Sequence, residues 1–187
     1  MDILSYKLGK KSGGSGQDWS ELGYSTPPQS LNDAYEIAQR IKNDWQSDSR
    51  LSDIGRDVII CPLVDTSSKT SFYYFAANCY SLLEVPLLDT SNVTTMSNAF
   101  YGAQGLRTIP VFDVSKATQM ASMFQGCANL TNESLNNILK MCINATAYTG
   151  TKTLSTLGFN NTHQPKTKIQ ALPSYQDFLD AGWTIGY

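Results

Sequence analysis

Chemistry-bearing residues are scarce in this chain. It has one histidine and four cysteines, and no two cysteines are spaced as CxxC. That spacing argues against a zinc knuckle or a redox dithiol. His163 stands in a polar stretch beside Gln164 and Pro165. One imidazole with no matching partners supports neither a Ser-His-Asp triad nor a multi-histidine metal site, so simple exposure is its default reading. Charge is scarce as well. Charged residues make up 16% of the chain, against about 25% in ordinary domains. A net charge of −2 and a pI near 5.3 supply no basic stripe, which argues against a nucleic-acid or anionic-membrane partner. No apolar run reaches the ~18–20 residues of a membrane span. The opening MDILSYKLGKKSGGSG lacks the long apolar core and small-residue cleavage site of a secretory signal. Synthesis in a cytosol, without export by that route, is the expectation.

What is present is a repeat. Asp65, Asp89 and Asp113 follow one another at steps of 24 residues, as do Pro62, Pro86 and Pro110. Phe72, Met96 and Met120 keep the step; so do Ala76, Phe100 and Phe124, and Val58, Leu82, Leu106 and Leu130. A fixed period of this size marks a solenoid, whose units stack because none buries its apolar face alone. The predicted fold is α/β: a short solenoid of 24-residue repeats over 57–130, with a helical N-terminal cap over 25–56 and a helix-and-strand C-terminal cap over 131–187. The chain, with 41% apolar residues over 187 positions, is long enough for one such domain with a core. The expected repeat core is Leu82, Leu106, Leu130, Met96, Met120, Phe100 and Phe124.

Residues 1–24 read as an arm. Ile3, Leu4, Tyr6 and Leu8 are its apolar anchors, and Lys7, Lys10 and Lys11 precede Gly13, Gly14, Ser15 and Gly16. This is a linker composition with a docking segment at its start. GKKS at 9–12 is not a phosphate loop, because Leu4 stands where GxxxxGK[ST] needs glycine. Residues 30–46 have the spacing of an amphipathic helix, with Ala34, Ile37, Ala38, Ile41 and Trp45 on one face, suited to cover the first repeat. Within each repeat, a short extended piece should end at proline, which lacks an N–H. Asp-x-Ser should then turn the chain, and one or two helical turns should follow, stopped at Asn78, Gly102 and Gly126. After Leu130, Thr131 or Asn132 should cap a helix through Leu135, Ile138, Leu139 and Cys142. Residues 144–168 read as loop. A last helix is expected from Ser174 to Gly182, and then a closing strand through Trp183, Ile185 and Tyr187.

The pattern FxxCxxLxxI-P-[LV]-x-D-x-S-x-[VA]-T-x-M-x-x-[MA]-F resembles the BspA-type, or DUF285-type, leucine-rich repeats of bacterial surface proteins and of structural proteins of tailed phages of Gram-positive bacteria. The opening LSYKLGKKSGG and the segment DWSELGY are similar to leaders of phage virion proteins. LNNILKMCINATAYTGTKTLSTLGF and FLDAGWTIGY are similar to the terminal caps of phage repeat proteins. The resemblance implies a non-enzymatic virion component of a tail, baseplate or fibre, made in host cytoplasm. It also implies partners among other virion proteins and a host surface receptor, and no cofactor. Three repeats are few for a long adhesin arm. A bacterial surface adhesin module is the alternative, and a cell-wall hydrolase would need paired carboxylates or a nucleophile–base set that the sequence does not show.

Candidate sites follow from the repeat. The virion-docking arm is Ile3, Leu4, Tyr6, Leu8, Lys10 and Lys11. A candidate contact strip comes from alternation: if Leu63, Leu87 and Val111 point inward, then Val64, Leu88 and Phe112 point outward with Ile60, Glu84 and Thr108. The competing reading is that the turn after each proline breaks the alternation and buries both neighbours. Asp65, Asp89 and Asp113 suit Asx-turns into Ser67, Ser91 and Ser115 better than a cation ladder. Cys79 and Cys127 hold one repeat position two units apart, about 10 Å at ~4.8 Å per rung. This is beyond the ~7 Å reach of a disulfide, so the cysteines are expected to be buried free thiols. No catalytic or metal-binding residue is identified. Copies are expected to assemble symmetrically.

Overall fold

The structure is a computed structural model that describes Gln46 and residues 49–54 and 58–187. The arm, and all but the last residue of the helix expected over 30–46, lie outside the described residues. Among the described residues the backbone is mostly irregular coil and turn, with four short helices and no extended strand. The helices are α1 (Leu51–Ile54), α2 (Asn132–Asn144), α3 (Lys166–Gln170) and α4 (Tyr175–Asp180).

The repeat is nevertheless written into the hydrogen bonds. Parallel bridges join Ile60 to Glu84 and Glu84 to Thr108, and a second column joins Ser71 to Thr95 and Thr95 to Gln119. Every step in both columns is one repeat. The expected extended pieces shrink to single bridges for a local reason. Pro62, Pro86 and Pro110 carry no N–H, and the Asx-turn begins three residues later, so no second ladder bond forms on that side.

The expected helical turns are also corrected. Within the stretches 72–79 and 96–103, residues 73–78 and 97–102 are runs of consecutive turns. In the first stretch, the N–H groups of Phe72, Tyr74, Ala76 and Asn78 donate to the carbonyls of Thr95, Ser97, Ala99 and Tyr101. Phe75, Ala77 and Cys79 instead donate three residues back within their own coil. Alternate amides thus tie one coil to the next. A helix would spend all of them internally. The backbone permits this through left-handed residues one repeat apart: Tyr74, Asn98 and Ser122, and then Asn78, Gly102 and Gly126. The glycines read as helix stops are these left-handed positions.

One hydrophobic core runs from Leu51 to Ile185 and contains every residue named for the repeat core. Its aromatic members touch from coil to coil. Phe75 meets Phe100 edge-on at 6.4 Å, Phe100 stacks on Phe124 at 5.6 Å, and Phe124 meets Phe159 at 6.1 Å. The first coil has Ala76 where the others have phenylalanine, and Phe75 supplies the missing ring from the adjacent position, stacked on Phe72 at 4.4 Å. Lys69, at the place of Val93 and Ala117, is buried.

Both ends of the repeats are covered. Ser52 donates its amide to Phe75 and its hydroxyl to Tyr74. At the other end Ser122 and Phe124 donate to Thr156 and Leu157, and Thr153 bridges in parallel to Thr184. The stretch expected as loop therefore supplies one further layer and α3, while the expected closing strand is reduced to that bridge. Gly158, at φ +92, lies so close to Gln125 that an added Cβ would sit 2.6 Å from its Cα. Thr131 caps α2 by accepting from the Ser134 amide. Ser174 stands at the cap position of α4 without a side-chain cap bond.

Candidate interaction groove

Each coil enters the groove region through the stretch 58–64 or its equivalents. Val58, Leu82 and Leu106 are fully buried, as are Cys61, Val85 and Ile109 three residues on. The bridge column Ile60, Glu84 and Thr108 lies between coil interior and solvent: Ile60 is buried, Glu84 half-buried and Thr108 exposed. Beyond the proline the pattern changes phase. Val64, Leu88 and Phe112 are in the core, and Phe112 stacks on Phe100 at 6.0 Å. Leu63 and Leu87 face solvent at 42% and 62% exposure, and Val111 is half-buried.

The outward facing expected for Val64, Leu88 and Phe112 is thus corrected, and Leu63, Leu87 and Val111 take that place. Strict alternation holds only while successive residues alternate across a pleat. Proline interrupts the extended piece and shifts the parity by one. The signal that identifies the true outward column was therefore the proline itself. Of the named strip, Glu84 and Thr108 do lie at the outer wall of a groove.

That groove has a volume of about 360 Å³ and runs across the coils from Ile60 to α2. Leu87, Val111, Pro86 and Pro110 give it an apolar side, and Glu84 and Glu133 give it carboxylates. Helix α2 closes it because the fourth coil is missing there. Ser134 replaces that coil's backbone: its hydroxyl accepts from the Ile109 amide at 3.1 Å and donates to the Arg107 carbonyl at 2.8 Å. Asn137 donates to the Ile109 carbonyl at 3.0 Å. The contributions of Glu133 and Asn137 were not foreseen, because they depend on where α2 packs. Three tyrosines are exposed, Tyr73 and Tyr101 on the turn runs and Tyr80 just after the first of them.

The aspartate column forms the turns expected of it. Asp65 accepts from the Ser67 amide at 3.0 Å and its hydroxyl at 2.7 Å, and Asp89 does the same with Ser91 at the same distances. Asp113 accepts from the Ser115 amide at 2.9 Å. These bonds favour the charged form and hold all three carboxyls below their ordinary range. The Ser67 amide is the largest influence on Asp65, and the serine hydroxyl is the largest on Asp89 and Asp113.

The four cysteines are buried and none is in a disulfide. Burial pushes the thiols of Cys61 and Cys142 well up and that of Cys127 to about 12, so they are fillers with little thiolate at neutral pH. His163 is exposed, 3.4 Å from the Asn160 amide nitrogen. No group of three or more histidine, cysteine or acidic residues is placed to hold a metal ion among the described residues. The docking-arm residues Ile3, Leu4, Tyr6, Leu8, Lys10 and Lys11 lie outside them.

No curated protein and no solved structure matches the chain. Among protein families, residues 69–163 match DUF285, described as a Mycoplasma protein of unknown function. The match begins in the first repeat after its aspartate turn, and it spans the bridge column Ser71, Thr95 and Gln119, the turns at Asp89 and Asp113, and α2. With just over half of its length matched, the chain belongs to the DUF285 family.

Proposed function

We propose that this chain is a non-enzymatic virion structural protein of a tailed phage, built as a short leucine-rich-repeat solenoid. Residues 1–24 attach it to other virion proteins, and the repeat domain faces outward for host-surface contact or decoration. The observation that carries the binding role is the column of exposed Leu63 and Leu87 and half-buried Val111 beside a carboxylate-bearing groove. Exposed apolar columns of this kind mark contact surfaces. The phage assignment rests on the resemblance of LSYKLGKKSGG and FLDAGWTIGY to virion leaders and caps.

Mass spectrometry of purified particles tests it. The chain is expected in the particle, and deletion of residues 1–16 is expected to abolish incorporation while leaving thermal unfolding of the remainder little changed. Incorporation of the truncated protein would remove the docking role. Recovery of the chain from a bacterial cell wall instead would favour a surface adhesin.

A further inference from the structure

The turn runs and the residues just after them have a chemistry unlike that of the groove. Residues 70–83, 93–106 and 117–130, and 153–162 in the layer beyond, contain no Asp, Glu, Lys, Arg or His. Tyrosines and amides take the exposed places instead. Tyr73, Tyr80 and Tyr101 are 47%, 57% and 36% exposed. Gln104 stands one repeat on from Tyr80, and Gln125 one repeat on from Tyr101. Both glutamines are exposed, and neither side chain makes a hydrogen bond within the described residues. The coils are in register here: the Tyr80 carbonyl accepts from Gly105, beside Gln104, and the Gln125 carbonyl accepts from Gly102, beside Tyr101. Ring and amide thus follow each other at about 4.8 Å per coil. We propose that this face binds an uncharged hexose polymer, with pyranose rings against the tyrosines and hydroxyls on the amides.

The rings are grouped. Tyr73 and Tyr80 stand on either side of Ala77 in the first coil, and Tyr101 is one repeat on from Ala77, its carbonyl accepting from the Asn78 amide at 2.7 Å. Ala77 is buried. The face of a phenol ring carries negative charge density, which attracts the C–H groups on the flat side of a sugar, and amides both donate to and accept from hydroxyls. Neither interaction needs a formal charge. A phosphate-bearing or uronic-acid polymer calls for lysine or arginine, which these segments lack. Protein hot spots draw on arginine as well as tyrosine, in desolvated pockets; exposed rings paired with amides suit a hydroxylated ligand better. The backbone adds a separate observation. Tyr74 lies at φ +56, where the other coils place Asn98 and Ser122. That left-handed region is unfavourable for a bulky residue. Tyr74 packs edge-on against Tyr73 at 4.5 Å and so holds that ring. Strain kept at one coil and relieved in its neighbours points to a functional constraint. The inference concerns a face separate from the Leu87 groove and holds with or without a phage origin.

Electrophoresis of the full natural chain through native gels tests it. The gels hold a neutral glucan, mannan or galactan, or polygalacturonate, or no polymer. At least one neutral polymer should retard the chain, and polygalacturonate should not. Tyr101→Ala should weaken the retardation about fivefold and Gln104→Ala about threefold. Tyr101→Phe, which keeps the ring, should bind like the natural chain. All three variants should unfold thermally with the natural protein, because the side chains are exposed. Oligosaccharides of the retarding polymer should shift amide NMR signals centred on residues 73–81 and 97–105. No retardation by any neutral polymer, retardation that survives Tyr73→Ala with Tyr101→Ala, shifts centred on the groove, or a preference for polygalacturonate would overturn the proposal. So would tyrosine-dependent self-association without retardation, which assigns the face to a second copy of the chain.

Discussion

Each repeat aspartate closes a turn with groups two residues away, and this local chemistry has a measurable pH signature. In the folded chain Asp89 titrates below its ordinary 3.8 because the hydroxyl and amide of Ser91 stabilise the carboxylate. A carboxyl lowered on folding adds stability that is complete above its unfolded value and disappears as pH falls through the folded value. Stability should therefore drop as pH falls below about 4, and part of that slope belongs to the three turns. Ser91→Ala should raise the Asp89 titration toward the ordinary value in a carboxyl NMR titration while leaving Asp65 and Asp113 almost unchanged. An unchanged Asp89 midpoint in that variant would mean the hydroxyl is not the main cause. These turns were legible in the sequence because Asp-x-Ser specifies its own bonds. The outward column was not, since its facing depends on a parity that proline resets between Cys61 and Leu63.

Helix α2 shows what one element contributes when it takes the place of a coil. Its first turn meets two backbone groups that a fourth repeat would have satisfied, and Ser134 serves both through one hydroxyl. The same hydroxyl accepts a bond from Thr131, the N-cap, at 3.0 Å. Ser134→Ala leaves a buried amide without its acceptor and should cost about 1–3 kcal/mol. Thr131→Ala removes the cap and should cost ~1 kcal/mol. Because the two share a network, the double variant should lose less than the separate losses combined. Urea denaturation of the four proteins gives the comparison, and strict additivity would show that Ser134 and Thr131 act independently. The helix was legible from the apolar spacing and its cap as one of two neighbours, Thr131 or Asn132, of which Thr131 is the one that caps. The surrogate role of Ser134 was not, because it is set by register against Arg107 and Ile109, 25 to 27 residues earlier. The turn runs were hidden for a related reason. Residues at three- and four-residue spacing suit a helix equally well, and only the amides shared between coils decide the matter.

At the scale of the whole molecule the coils share a single interior, and this determines how the protein should unfold. Phe100 is fully buried in the middle repeat and contacts the rings of Phe75, Phe112 and Phe124. The core it joins continues without interruption through Phe159 to Trp183 in the C-terminal layers. The 24-residue period made these shared positions legible, because a residue repeated in register must meet its own counterpart in the next coil. The compensation of Ala76 by Phe75 was invisible until the rings were placed, since it exchanges two neighbouring positions while keeping their combined bulk. Phe100→Ala should cost about 3–5 kcal/mol, as it opens a cavity bounded by three coils that cannot collapse independently. A repeat array loses cooperativity when its neighbours couple weakly. Here the number of layers is small and the aromatic contacts cross each boundary, so unfolding should remain a single transition in the natural chain and in the variant. Far-ultraviolet dichroism should report the backbone, and tryptophan fluorescence the aromatic environment, which includes Trp183 buried in the C-terminal layers. The two curves should coincide in denaturant. Curves that separate in the natural chain would mean the C-terminal layers, from Thr153 onward, fold as their own unit against a repeat that does not need them.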